Sequence, residues 1–221
     1  MIFFDIDGTL IDHASASAAA SLSFFDQFAG KIPFSREQFP AAWEEILNKH
    51  FSRFCRGEVS LWEQRRARMR EVFDAPEMHD HEADPLYRIF MRDYESLTRP
   101  FEDAEPCLES LAGERLGIIS NGAREQQIGK LQRAGLLHYF SVMVYSEDVG
   151  LGKPSASIFL EACRRAGDVS ERCVHVGDDL QADVVPSRAL GMRGIHLTRA
   201  GKSPVGPPVI STLRNLPALI H

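Results

Sequence analysis

The chain lacks any run of about 18 apolar residues, the length a membrane-spanning helix requires. Its cysteines number only four, Cys55, Cys107, Cys163 and Cys173, and none forms a Cys-x-x-Cys pair. Thiols so scattered point to neither a disulfide framework nor a zinc site, and are expected as small buried hydrophobes in a reducing cytoplasm. Positive charge is not in excess: 25 Lys and Arg stand against 31 Asp and Glu, a net −6. That balance argues against a nucleic acid polymer or an anionic membrane as the main partner. It does not exclude a small anion, whose site depends on local charge. No basic segment precedes the opening apolar run Ile2-Phe3-Phe4, so this run is expected to be a core strand and not a signal peptide. Internal repeats and low-complexity tracts are absent.

The composition itself is ordinary for a folded domain, 44% hydrophobic and 25% charged. A length of 221 residues suits one large domain or a domain with a sizeable insertion.

Residues 14–97 read as almost entirely helical. Phe24, Phe25 and Phe28 fall at helical spacing, and Phe39, Trp43, Ile46, Leu47, Phe51 and Phe54 share one stripe of a 3.6-residue period. Ser60-Leu61-Trp62-Glu63 is a capping box opening a third helix. Asp84-Pro85 predicts the start of a fourth, with Leu86, Ile89, Phe90 and Leu97 inward. Arg65, Arg66, Arg68 and Arg70 read as a solvated helix face, and His79-Asp80-His81 as an exposed loop in preference to a metal clip.

After Pro100, short apolar runs alternate with helical stretches. Leu116–Ser120, Val142–Tyr145, Cys173–Val176 and Gly194–Leu197 read as strands, separated by helices near Ala123–Ala134, Ser157–Ala166 and Gln181–Leu190. This is the rhythm of a parallel sheet covered on both faces. The first strand must join that sheet, because the helical segment offers it no partner. The predicted fold is therefore α/β, a Rossmann-like parallel sheet with helices on both faces (1–13 and 98–221) and an inserted α-helical domain (14–97). Gly201–Pro208 is a Gly/Pro-rich connection to a short final strand and helix.

Parallel sheets build sites at the carboxyl ends of their strands. Here those ends carry one chemical set. The first strand runs into Asp5-Ile6-Asp7-Gly8-Thr9, a pair of carboxylates whose mutual repulsion calls for a cation or a shared proton. Ser120-Asn121-Gly122 follows the second and can hold phosphate oxygens through a hydroxyl and loop N–H groups. Lys153-Pro154 follows the third. Gly177-Asp178-Asp179 closes the next strand, with Asp183 a helical turn further on. His175, inside that strand, reads as a core histidine.

With these four motifs in this order, the chain resembles the haloacid dehalogenase superfamily, whose members are mostly aspartate-nucleophile phosphatases. The inserted helices match its α-helical cap in position and character, though through no motif. The resemblance implies that Asp5 attacks phosphorus and that Asp7 protonates the leaving oxygen and then activates water. It implies that Ser120 holds the phosphoryl group with backbone N–H groups at Asp7-Gly8 and Asn121, and that Lys153 neutralises charge. Mg²⁺ would be bound by Asp5, the Asp7 carbonyl and Asp178. Asp183 is expected behind them against Lys153, and Asp179 is left open between ligand and support. Dehalogenases of the superfamily lack the second aspartate, so Asp7 shifts the expectation to Mg²⁺-dependent hydrolysis of a small phosphate monoester, of the nucleotide or sugar phosphate class. A phosphomutase shares all four motifs and stays open, as does a catalytically idle regulatory protein. Oligomeric state and substrate are not legible.

Overall fold

The computed structural model describes residues 1–199 and 208–220, so the predicted connection at 201–208 lies almost wholly outside the described residues. Six strands form one sheet: β1 (Ile2–Phe4), β2 (Leu116–Ser120), β3 (Phe140–Tyr145), β4 (Val174–Gly177), β5 (Arg193–Leu197) and β6 (Val209–Ile210). All pairings are parallel, in the order β3-β2-β1-β4-β5-β6. The chain builds outward from β1 through β2 and β3, then restarts at β4 on the other side. The switch point of this doubly wound sheet thus lies between β1 and β4, and Phe4 is level with Ile118 of β2 and Val176 of β4.

Because strand side chains alternate, adjacent residues feed two different cores. Ile2, Phe4, Ile118 and Val176 pack on one face with Leu108 of α5 (Ala104–Ser110) and Leu131 of α6 (Arg124–Arg133). Phe3, Ile119 and Val144 pack on the other with Ile158 and Phe159. Those two belong to α8 (Ala156–Ala166), which follows the one-turn α7 (Ser146–Val149). Apolar runs unbroken by polar alternation are what this two-sided burial demands.

The chain divides into two compact units, Met1–Asp12 with Arg99–His221, and His13–Thr98. It leaves and re-enters the sheet unit through adjacent extended segments, where Ile11 bridges Pro100 and the Asp12 N–H donates to the Arg99 carbonyl.

The helical unit comprises α1 (His13–Phe28), α2 (Phe39–Cys55), α3 (Leu61–Val72) and α4 (Asp80–Leu97). Its core is aromatic, with Trp43 and Phe90 rings 4.0 Å apart between centroids. The capping box of α3 forms as the sequence indicates, Ser60 Oγ accepting from the Glu63 N–H and Glu63 Oε2 from the Ser60 N–H.

Four expectations in this unit need correction. α4 starts at Asp80, with Pro85 inside it, because Glu82 accepts from the His79 N–H and acidic first-turn residues suit the helix dipole. His79-Asp80-His81 is therefore a helix start, not a loop, and Leu97 at the far end is exposed. Arg68 is not on the solvated face: it is buried between helices, its guanidinium over the Tyr87 and Trp43 rings at 5.0 and 5.7 Å.

Candidate active site

β1 stops at Phe4, and the next residues turn sharply, with the Leu10 and Ile11 N–H groups both donating to the Ile6 carbonyl. Ile6 anchors the turn in the core, while Asp5 and Asp7 are left at the carboxyl edge of the sheet. Asp5 is buried, and its Oδ1 accepts from Lys153 Nζ at 2.5 Å. The same ammonium donates to Asp183 Oδ1 at 2.6 Å. Lys153 is held there by Asn121, whose side chain bonds both the N–H and the carbonyl of Lys153 at 2.7 and 3.0 Å. Asn121 thus spends its amide on locating the lysine.

Across the switch point, Asp178 leaves β4 and accepts from Thr9 Oγ1 at 3.2 Å, while its carbonyl accepts from His196 Nε2 at 3.0 Å. Carboxylate oxygens of Asp5, Asp178 and Asp183 lie within 4.8 Å of one another. Asp183 is also bonded to His175 Nε2 at 2.9 Å and to the Asp179 N–H at 3.2 Å. Asp179 points elsewhere: its Oδ1 caps the π-helical turn Leu180–Val184, accepting from the Gln181 and Ala182 N–H groups. The helix expected over Gln181–Leu190 is accordingly that turn followed by α9 (Val185–Ala189).

The electrostatics follow from three carboxylates sharing one ammonium. Burial alone would push Asp183 up, but Lys153 and His175 override it and hold the carboxyl down at about 2. Burial and the Asp183 charge push Asp178 up to about 6. Burial likewise raises Asp5 well above the ordinary carboxylate range, against the pull of Lys153. Burial would depress Lys153, yet Asp183 and Asp5 outweigh it and keep the ammonium protonated. The cluster carries more negative charge than its lysine can balance. A donor set of hard carboxylate oxygens with that excess fits a divalent cation of the Mg²⁺ or Ca²⁺ kind.

Asp7 is treated differently from Asp5. Both of its oxygens accept from Lys130 Nζ at 2.7 Å, and Oδ2 also lies 2.9 Å from Gln127 Nε2. The same amide nitrogen is 2.9 Å from Ser120 Oγ. The structure therefore brings Asp5, Asp178 and Asp183 into one cluster with Lys153, and ties Asp7 to Ser120 through a neighbouring pair. Gln127 and Lys130 were not singled out by the sequence reading. Their signal was a polar pair on the inward stripe of α6, on which Leu131 and the cap residue Ala123 are also buried.

An open doubly wound sheet with an acidic cluster at its switch point defines a Rossmann-like α/β protein with a candidate site at the carboxyl ends of its strands. The chain belongs to the haloacid dehalogenase-like hydrolase family, whose family model matches residues 1–191. It is 33% identical over 201 residues to a glyceraldehyde 3-phosphate phosphatase of Methanothermobacter thermautotrophicus, covering 88% of this chain and 83% of that protein. It is 27% identical to the N-acylneuraminate-9-phosphatase of Rattus norvegicus, over 100% of this chain and 93% of that one. Among solved structures, a HAD-hydrolase of Bacillus subtilis bound to magnesium superposes with a TM-score of 0.84 at 23% identity, over 99% and 97% of the two chains. A 2-haloacid dehalogenase of Pseudomonas syringae gives 0.72 at 30%, over 99% and 96%.

Proposed function

We propose that this chain is a phosphoric monoester hydrolase that acts on small phosphorylated metabolites with Mg²⁺, through a phosphoryl group carried on Asp5. The observation that carries this reading is the charge imbalance of the Asp5, Asp178 and Asp183 cluster, which one lysine cannot offset. In this reading Asp5, the Asp7 carbonyl and Asp178 hold the cation, and Asp183 keeps Lys153 aimed at Asp5. Bound there, the cation supplies charge neutralisation for an anionic nucleophile meeting a phosphate, a repulsion of about 4 kcal/mol per charge pair at 4 Å and an effective dielectric of 20.

Asp5 attacks phosphorus, and the bond to the leaving oxygen breaks as Asp7 delivers a proton to it. Asp7, now a carboxylate, takes a proton from water, which attacks the phosphoryl group and frees Asp5. Ser120, Lys153 and the N–H groups at Asp7-Gly8 and Asn121 hold phosphoryl oxygens through both steps. Asp7 favours this chemistry over the dehalogenation named for the Pseudomonas syringae relative, because a halide leaves without a proton. Substrate choice is assigned to the helical unit, the cap of this reading.

The test is phosphate release from 4-nitrophenyl phosphate with and without Mg²⁺, followed by a panel of nucleotides, sugar phosphates, triose phosphates and 2-haloacids. Asp5→Asn is expected to abolish release, and Asp7→Asn to accumulate acid-stable phosphoenzyme. Full activity in Asp5→Asn, or halide release in place of phosphate release, would overturn the reading.

A further inference from the structure

Lys130 and Gln127 are each only 2% exposed, although lysine and glutamine ordinarily stay in water. A buried ammonium costs several kcal/mol unless it is paired and hydrogen-bonded. Lys130 meets that condition on the Asp7 carboxylate, at 2.7 Å to each oxygen. Gln127 faces three acceptors at 2.9 Å, Asp7 Oδ2, Ser120 Oγ and the Asn121 carbonyl, with only two amide hydrogens to give. The Asp7 side chain has two rotatable bonds, and contacts to both oxygens from two different side chains fix them together.

We propose that Lys130 and Gln127 are positioning residues: Lys130 sets the orientation of the Asp7 carboxylate, and Gln127 locks that orientation to the Ser120 hydroxyl. This inference rests on the phosphatase reading above and deepens it. Both residues contact the Asp7 carboxylate, and in this reading neither exchanges a proton or bonds phosphorus itself. They act by holding the acid/base group and the phosphate-holding hydroxyl in one frame, so that the side chain need not be ordered anew in each half-reaction. The three-into-two shortage at Gln127 also means that one acceptor at a time is open to a new donor. The Ser120 O–H can donate to a substrate phosphoryl oxygen whichever acceptor Gln127 serves, because Ser120 Oγ only accepts from the amide.

A role confined to folding and one exerted through Asp7 give different kinetics. The nitrophenolate of 4-nitrophenyl phosphate leaves without a proton, whereas an alkoxide needs one. The full chain with Mg²⁺ is assayed on that ester and on an alkyl phosphate the parent hydrolyses. For Lys130→Met, kcat/KM on the alkyl phosphate is expected to fall about 10- to 100-fold. On the nitrophenyl ester it is expected to stay within about threefold, while kcat falls on both because water activation still needs Asp7. Lys130→Arg should recover part of the loss. With Asp7→Asn already present, adding Lys130→Met should cost the residual alkyl turnover no more than about threefold, the signature of residues acting as one unit. Gln127→Leu should lower kcat/KM on both esters alike, since Ser120 serves both. If the Met variant does not fold, Lys130→Gln carries the same cycle. Equal kcat/KM losses on both esters in Lys130→Met, unchanged kcat/KM in Gln127→Leu, or losses that multiply in the Asp7→Asn, Lys130→Met double variant overturn the proposal. A parent inactive on every ester would instead fail the phosphatase reading, so the two failures are distinguishable.

Discussion

Gly8 shows how tightly single residues are constrained at this edge of the sheet. Its φ is +84°, and a Cβ there would lie 2.2 Å from Asp178 Oδ2. Gly150 shares the left-handed backbone at +74° but has no atom within 4 Å of a Cβ position. An alanine pays the backbone cost at both sites, about 1–2 kcal/mol, and the displacement of Asp178 only at the first. Gly8→Ala is thus expected to lose at least about tenfold in kcat/KM beyond any loss in Gly150→Ala. Steady-state assays beside urea denaturation check this, and equal activity in the two variants would contradict it. The same contrast explains what the sequence disclosed. Asp5, Asp7, Ser120, Lys153 and Asp178 were legible because charged or hydroxyl residues at strand ends follow local chain order. Lys130 and Gln127 were not: their partners lie 123 and 120 residues away in sequence, at Asp7, and only the packing of α6 on the sheet brings them there. Arg68 misled for the reverse reason, since a helix rich in arginine hides which one faces the neighbouring helices.

At the scale of elements, the end of the sheet is fastened to the start of α5 by one carboxylate. Asp103 accepts from Arg199 Nη2 at 2.9 Å, Thr212 Oγ1 at 2.6 Å and the Leu213 N–H at 2.9 Å. Burial alone would raise its pKa, but these donors outweigh it and hold the carboxyl below its ordinary value. A carboxyl depressed in the folded state contributes fully above its unfolded value, and the contribution is lost as pH falls through the folded one. Asp103→Asn is therefore expected to be less stable by about 2–3 kcal/mol at pH 7. That deficit should shrink once pH drops below about 4, the unfolded range of aspartate. Urea midpoints at pH 7, 5 and 3.5 read it out, and a deficit undiminished at pH 3.5 would assign the loss to shape and not to charge. None of this fastening could be read from the sequence, which shows Asp103 merely as one acidic residue after a proline. The strands themselves could be read, because burial on both faces leaves uninterrupted apolar runs. The start of α4 was misplaced because Asp84-Pro85 imitates a helix start that Glu82 makes one turn earlier.

For the molecule as a whole, the acidic cluster belongs to one of two units with separate cores. A cation that binds the folded cluster and not the unfolded chain stabilises by mass action, about 1.4 kcal/mol at ten times its Kd. In a chain of 221 residues this corresponds to a rise of about 3–5 °C in Tm. MgCl2 is expected to produce it beyond what NaCl of matched ionic strength produces, since screening alone also relieves a net charge of −6. Asp178→Asn should remove most of the response, as it takes a carboxylate from the cluster. Asp179→Asn should keep it, because asparagine caps a helix as aspartate does and Asp179 serves the turn at Leu180–Val184. Scanning calorimetry adds a constraint that activity cannot supply. If the two units unfold in separate transitions, Mg²⁺ should move only the one that holds Asp5, Asp178 and Asp183. A shift of both transitions, or an Asp178→Asn variant that responds like the parent, would place the cation elsewhere and leave the excess charge of the cluster without its proposed partner.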